Sequence, residues 1–393
     1  MKEKTKQAGP AAWLRENKWT CAVLAAALVL LIVGRLLAAP ARVEAGQPEE
    51  RADYESAVVE QVLSDSTEKD PAADNGYRGE QLLLVTVKSG DYQGQQMQVY
   101  NYVGPLYGGP LHAGDRATIL ISSYSDGTVN ATVYEFDRLI PLAIVVALFI
   151  AAAVIVGGRT GAKSLVALAV TLMCLFGVLL PALMKGANTL LMTFIVCAYV
   201  AVVSLTIVGG VQKKSVCAML GAVAGTALAL LFGLLAQALT RVDGLRIEDV
   251  EPLLQLRQTG TPIGLRGLLV GGIIISALGA VMDVTMGIAS SLAEVHAANP
   301  QLSRRELFRS GMNIGRDMVG TMTNTLILAF LGSGFTLILY LYSLGLSFRQ
   351  LMSSAYVSME VVSGVASSVG VILSIPLTAL ITAAVFTREK QQS

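Results

Sequence analysis

The sequence contains few charged residues. Asp, Glu, Lys and Arg make up 15% of the 393 residues, and 53% are hydrophobic, whereas an ordinary soluble domain is about one quarter charged. So much apolar surface requires a lipid environment. The formal net charge is +1 and there is no long basic run, so the basic surface of a nucleic-acid-binding protein is missing. We expect an integral membrane protein with no nucleic-acid partner.

Cysteine and histidine are also scarce. The cysteines lie within or beside strongly apolar runs, which does not suit a disulfide framework; they are Cys21, Cys174, Cys197 and Cys217. His112 and His296 have no Cys or His neighbour at metal-ligand spacing. The sequence has no phosphate-binding loop, nucleophilic-serine elbow or zinc-protease signature. We therefore predict neither a metal site nor a cofactor.

Long apolar stretches dominate the chain instead. A helix that crosses a bilayer needs about 20 mostly apolar residues, and about eight stretches meet this requirement. They are residues 20–39, 139–157, 164–184, 188–210, 215–239, 268–292, 318–342 and 361–386. The fold class that this pattern predicts is a mainly α, polytopic helical membrane protein.

Lysine and arginine predict the orientation, because they concentrate in cytoplasmic loops. A cytoplasmic N-terminus places most of the Lys and Arg residues inside. The main exception is a longer outer loop with Arg241, Arg246 and Arg257, but this loop also carries four acidic residues, so its charge is mixed. We expect a plasma-membrane protein with both termini in the cytoplasm. The predicted organisation is a cytoplasmic N-terminus at 1–19, a first transmembrane helix at 20–39, an extracytoplasmic domain at 40–138, seven transmembrane helices within 139–386 and a cytoplasmic tail at 387–393.

The first apolar stretch has two interpretations. Small residues follow it at Ala38, Ala39 and Ala41, as they do at the cleavage site of a signal peptide. Its apolar run is longer than the 7–15 residues or so that are usual for a cleaved signal, and the segment before it is long, so an uncleaved signal anchor is the favoured interpretation.

The polar segment 40–138 has the pattern of a small β domain. Residues 81–88 and 96–103 flank a polar turn, and residues 117–121 and 128–136 flank a second turn that contains Asp126-Gly127. Both arrangements are typical of hairpins. Together with an earlier strand near residues 57–63, they predict a barrel of about five strands. Such a domain could contact an envelope protein.

Ionisable residues inside a bilayer cost at least about 2.5–3.5 kcal/mol each and are therefore functional candidates. Polar residues recur on one face of three of the predicted helices. We expect these faces to turn toward one another and to line a polar crevice. The candidate residues are Asp283, Glu294, Asn313, Arg316, Asp317, Thr321, Asn324, Thr325, Glu360 and Ser363.

The same stripes have a structural alternative. Serine, threonine and asparagine side chains also hold helices together through hydrogen bonds that average about 0.6 kcal/mol, and glycines such as Gly221 and Gly225 allow close helix contact. A carboxylate is a costlier way to hold helices together than a serine. A carboxylate held away from water can bind a proton near neutral pH, as a proton-coupled carrier requires. For Arg316, a cytoplasmic anchor role competes with binding of an anionic group.

The region from Gly271 to Gly334 contains GGIIISALGAVMDVTMGIASSLAEV and ELFRSGMNIGRDMVGTMTNTLILAFLGSG, and SGVASSVGVILSIPLTAL follows later. With these stretches the sequence resembles the YibE/YibF-like family of bacterial membrane proteins, which implies a bacterial plasma membrane. The resemblance implies several membrane helices and a short extracytoplasmic domain after the first one. It implies no substrate and no catalytic residues.

Three classes of function are compatible with these observations. The leading hypothesis is a secondary carrier or permease that binds a small solute together with a proton or cation. The second is a non-transporting assembly or signalling component that acts through residues 40–138. The third is an intramembrane aspartyl hydrolase that uses Asp283 and Asp317, although Gly315-Arg316-Asp317 differs from the GxGD pattern of such proteases.

The topology is testable by cysteine labelling in intact cells. In a cysteine-free background, single cysteines at Ser125 and Thr259 should react with a membrane-impermeant maleimide, because both positions are predicted to lie outside. Cysteines at Lys163, Ser303 and Gln392 should react only after the membrane is permeabilised. The reverse pattern would show that the orientation is wrong.

Overall fold

A computed structural model describes residues 50–71, 76–124, 128–242, 251–258, 260, 262–265 and 267–388. The chain forms two compact units, Val43–Ala152 and Met1–Arg42 with Ala153–Ser393. The first contains all the described strands, and the second contains most of the helices. The first predicted transmembrane helix, 20–39, lies outside the described residues.

The strand unit is a closed barrel of five long strands with one short extra strand. β1 pairs with both β3 and β5, β3 pairs with β4, and β5 pairs with β6, in each case antiparallel. A single parallel contact between Tyr100 and Thr132 joins β4 to β6 and closes the barrel. The strands are β1 Glu50–Asp65, β2 Glu68–Lys69, β3 Tyr77–Val87, β4 Gln96–Val103, β5 Arg116–Tyr124 and β6 Val129–Phe136.

This connectivity is that of an oligonucleotide/oligosaccharide-binding (OB) barrel. Around the barrel the long strands follow one another in the order β1, β3, β4, β6 and β5, and β5 pairs again with β1. If the short β2 is left out and the long strands are renumbered along the chain, this is the order 1-2-3-5-4. The predicted barrel and both predicted hairpins are confirmed. The turn at residues 125–127 lies outside the described part of the chain, and β1 extends beyond the predicted 57–63 at both ends.

A buried polar network fixes the barrel interior at Gln81, which is 1% exposed. Its amide nitrogen donates to Asp65 Oδ2 at 2.9 Å, and its oxygen accepts from Asn101 Nδ2 and from the Leu111 backbone N–H, both at 2.9 Å. Hydrogen bonds from the Thr67 hydroxyl and backbone N–H, and then from Gln81, hold the pKa of Asp65 below its ordinary value. A buried amide is tolerated here because its hydrogen-bonding groups are satisfied.

The remaining described residues are almost entirely helical. The helices are α1 Leu139–Cys174, α2 Leu180–Met184, α3 Thr189–Gly209, α4 Lys213–Thr240, α5 Glu251–Gln258, α6 Leu268–Ala298, α7 Arg304–Ser333, α8 Phe335–Ser343, α9 Phe348–Ser353 and α10 Ala355–Arg388. A π-helical segment, Leu175–Leu179, joins α1 to α2, so that a helical run extends from Leu139 to Met184 with a break inside α1.

Five of the described helical segments are long and apolar enough to cross a bilayer, and a sixth results if α7 and α8 form one bent span. The predicted spans 139–157 and 164–184 fall within one 46-residue run. Gly158 breaks the helical backbone of this run, with φ 53° and ψ −132°, a conformation that glycine adopts readily. The total of eight spans stays a prediction, because it depends on this break and on residues 20–39.

In the helical unit, α10 packs against α4, α6 and α7. Small residues allow the close approach of α4 to α10: a Cβ at Gly221 would overlap the Thr378 hydroxyl, and one at Gly225 would lie 2.6 Å from Ser374 Cβ. Since lipid tails provide no hydrophobic drive for helix association, such close van der Waals contact is a main source of stability. The packing role predicted for both glycines is confirmed.

Gly225→Ala should therefore destabilise the helical unit. The added methyl group meets Ser374 and also Val281 Cγ1, which would lie 3.0 Å away, so we expect a loss of about 1–3 kcal/mol, the usual cost of overpacking. Gly279→Ala in α6 is the matched control, because nothing lies within 4 Å of its added Cβ; it should leave the melting temperature unchanged or raise it. Thermal unfolding of both purified variants is the measurement, and equal melting temperatures would contradict the packing argument.

Candidate functional site

The membrane helix that the sequence predicts at 318–342 is broken. α7 and α8 meet at Gly334 with a bend of 63°, at the end of the small-residue sequence Gly332-Ser333-Gly334. The Gly334 N–H still donates to the Phe330 carbonyl at 3.1 Å, and its own carbonyl accepts from the Ile338 N–H at 3.0 Å. A break of this kind leaves backbone groups of two helix ends without intrahelical partners. Carriers use such discontinuous helices to bind substrates and ions.

Glu360 of α10 lies directly against this bend. A Cβ built on Gly334 would be 3.7 Å from Glu360 Cγ, so the missing side chain leaves space beside the carboxylate. Glu360 is half-buried. It forms no hydrogen bond or ion pair with any other residue in the described part of the chain. A carboxylate without a protein partner at a helix break can accept a proton or a cation.

A pocket of about 160 Å³ lies beside the Glu360 side chain. Glu360 and Tyr356 are the ionisable members of its described lining, and the others are apolar side chains or glycines. Gly364 helps to keep the pocket open, since its nearest neighbour, Phe330, would lie 3.5 Å from an added Cβ. The lining residues are Ile327, Phe330, Leu331, Gly334, Leu337, Ile338, Tyr356, Val357, Glu360, Val361, Gly364 and Val365.

The other candidate residues lie outside this pocket. Asp283 and Glu294 are exposed on α6, and Ser363 is partly buried on α10. The α7 candidates are all exposed on the surface of the fold; they are Asn313, Arg316, Asp317, Thr321, Asn324 and Thr325. The sequence predicted one shared polar crevice, whereas the structure places Glu360 in a mostly apolar pocket and most of the other residues on exposed helix faces.

The packing of α7 explains why its polar residues are exposed. Its glycine face turns inward: a Cβ at Gly315 would overlap Ile375 of α10, and a Cβ at Gly311 would lie 2.8 Å from Ala379 Cβ. The residues on the opposite face of the helix, Asp317 among them, consequently point away from α10. Within a bilayer such a face has to meet water or protein, because exposure to lipid is costly.

The contact between α6 and α7 lies between the two exposed carboxylates. Met318 Cε would be 3.0 Å from a Cβ at Gly287, so the two helices touch there. Asp283 is one turn from Gly287, and Asp317 is next to Met318 in sequence. No hydrogen bond between the two carboxyl groups is found in the described residues. Whether they form an ion site stays a prediction.

Some polar residues of the helical unit have a purely structural role. Ser367 is fully buried, shares a hydrogen bond of 2.9 Å with Ser276 of α6 and donates to the Ile273 carbonyl at 3.3 Å. This pair of serines holds α10 against α6, as the structural interpretation of the polar stripes expects of serine side chains.

Among the residues that the structure describes, no three His, Cys, Asp or Glu side chains lie close enough together to hold a metal ion.

Sequence patterns did not reveal the bend at Gly334. A continuous apolar window hides it, and the only local signal is Gly332-Ser333-Gly334, since glycine-interrupted hydrophobic segments often mark binding sites in carriers. A second signal concerns the pocket: Tyr356 and Gly364 lie one helical turn before and after Glu360, and all three line it.

A family model described as YibE/F-like protein matches residues 145–388. This match covers more than half of the chain. The chain belongs to the YibE/F-like family. The matched region contains α3 to α10 and the Glu360 pocket, whereas the barrel of this YibE/F-like protein lies before it. The resemblance inferred from the sequence is confirmed. Comparison with curated proteins and with solved structures gave no match.

The absence of a partner for the two membrane carboxylates leads to a stability prediction. Glu360→Gln and Asp283→Asn keep the side-chain shape and should leave the melting temperature unchanged or higher, because neither charge is compensated by a described residue. Ser367→Ala, the contrasting variant, should lower stability by about 0.6–1.7 kcal/mol, the range for interhelical hydrogen bonds. A marked destabilisation by either neutral variant would show that its charge holds the fold together.

Proposed function

We propose that this YibE/F-like protein is a secondary carrier in which Glu360 binds the coupling ion, a proton or a monovalent cation. The observation that carries the proposal is the position of Glu360 at the 63° break between α7 and α8, where its side chain lines a pocket. The described residues offer Glu360 no counter-ion, and carriers place their ion sites at discontinuous helices of this kind.

The exposed polar face on α6 and α7 supplies the second part of the proposal. Asp283, Asp317 and Asn324 would line a water-filled path for a small solute, because a polar face on a membrane helix is stable only where water or protein covers it. The carboxylates differ in role: Glu360 binds the ion in a confined pocket, and the α6 and α7 residues contact the solute or its water. No hydrolytic step by Asp283 and Asp317 belongs to this proposal.

We place the protein in a bacterial plasma membrane with the lipid bilayer around its helices, both termini inside and the barrel outside. The support is the distribution of Lys and Arg along the sequence together with the apolar helices. The alternative of an assembly or signalling component rests on the barrel, through which an envelope protein could bind. In that case the carboxylates of the helical unit would tolerate neutral substitution.

Ion binding at Glu360 can be measured before any solute is known. The melting temperature of the purified protein should depend on the concentration of Na⁺ or K⁺ or on pH, since a ligand at 100 times its Kd stabilises the folded state by about 2.7 kcal/mol. Glu360→Gln should abolish the dependence. Glu294→Gln is the matched control, because Glu294 is exposed outside the pocket, and it should behave like the wild type.

Two results would contradict the carrier proposal. One is an identical response of the Glu360→Gln and Glu294→Gln proteins to every ion. The other is full function of the Glu360→Gln protein in cells that depend on the gene, which would favour the assembly role instead.

A further inference from the structure

The barrel exposes an unusual number of aromatic rings. Eight of the 12 tyrosines of the chain lie between residues 54 and 134. Five of them are 46–64% exposed on the barrel, and none of these five belongs to its hydrophobic core; they are Tyr54, Tyr100, Tyr102, Tyr107 and Tyr134. Folding of the barrel does not require these rings at the surface, and clustered exposed apolar surface is typical of binding sites.

Three of these tyrosines form a platform on the outside of β4. Tyr100 and Tyr102 have ring centroids 6.5 Å apart and planes within 17° of each other. Tyr107, which follows the end of β4, lies 6.4 Å from Tyr102 and is tilted by 55°. The result is a row of three exposed aromatic rings, which we call the tyrosine platform.

A second aromatic pair lies on the outside of β1 and β6. The rings of Tyr54 and Tyr134 meet edge to face at 5.0 Å. The strand register connects them to the platform, because Tyr54 pairs with Leu120, Leu120 with Thr132 and Thr132 with Tyr100. One row of residues around the barrel therefore carries aromatic rings at both ends.

The platform occupies the face that OB barrels use for ligands. That face is centred on the second and third barrel strands, which here are β3 and β4. A cleft of about 400 Å³ lies beside Tyr107, and its arginine is held in place by an ion pair with Asp70. The residues that line the cleft are Arg78, Val103, Gly104, Pro105, Leu106 and Tyr107.

The charge of the barrel restricts the class of ligand. Acidic residues outnumber basic ones between residues 51 and 138, so the surface repels polyanions such as single-stranded nucleic acid, which needs a basic groove beside its aromatic side chains. A neutral carbohydrate is not repelled by this acidic surface, and its C–H faces stack on aromatic rings.

We propose that the tyrosine platform of the barrel binds a neutral oligosaccharide. The proposal does not depend on the carrier function, because it concerns a separate compact unit of the chain. The two ideas therefore fail or succeed independently.

Calorimetric titration of the full-length protein provides the test. The protein is placed in phosphatidylcholine nanodiscs, which contain no sugar detergent, and titrated with fully N-acetylated chitohexaose and with oligothymidylate. The N-acetylated chitohexaose should bind more tightly than oligothymidylate, and its affinity should not change between low and high salt, since the ligand is uncharged. Tyr102→Ala should weaken this binding by at least about tenfold, whereas Tyr102→Phe, which keeps the ring, should retain it.

Tyr124→Ala is the matched control, because Tyr124 is also exposed on the barrel but lies outside both aromatic groups. It should bind chitohexaose like the wild type. Unchanged melting temperatures would show that each variant is folded. Absence of chitohexaose binding at millimolar concentration, equal affinities of the Tyr102→Ala and Tyr124→Ala proteins, or tighter binding of oligothymidylate would each overturn the proposal.

Discussion

Contact between helices that carry small residues organises the helical unit. α10 lies against α4, α6 and α7, and at these contacts glycines face Thr378, Ser374, Ile375 and Ala379 of α10. Lipid tails solvate apolar side chains as well as a neighbouring helix does, so helix association gains no hydrophobic free energy. Close van der Waals contact and a few buried hydrogen bonds have to supply the association energy. The direction in which every other side chain of α10 points follows from this packing.

The position of Glu360 is one such consequence. The C-terminal half of α10 is fixed by its contacts with α4 and α7, and the N-terminal half reaches the bend at Gly334. The Glu360 side chain thereby meets a discontinuity in the neighbouring helix, at a glycine that has no side chain of its own. Packing of this kind places an expensive charged group at a helix break, which is the physical basis of the carrier proposal.

The barrel has a polar network in its interior and aromatic rings on its surface. Its interior accepts Gln81 because Asp65, Asn101 and Leu111 satisfy the amide, while its tyrosine rings remain outside. An interior amide with a full set of partners fixes the relative positions of β3, β4 and the end of β1. The rigid strands then hold the exposed rings of β4 in a constant spacing, as a ligand-binding surface requires.

The sequence by itself determined the class of protein, the apolar helices, the hairpins of the barrel and the family, because these depend on composition and on periodicity within short segments. It also identified Glu360 as a candidate. Only the tertiary structure decided that Glu360 lies in the pocket at a helix break while Asp283 and Asp317 are exposed on helix faces. The physical reason is that a helix face is chosen by the fit between segments far apart in the chain, such as Gly221 against Thr378 or Gly315 against Ile375. The periodicity of one segment cannot report that fit.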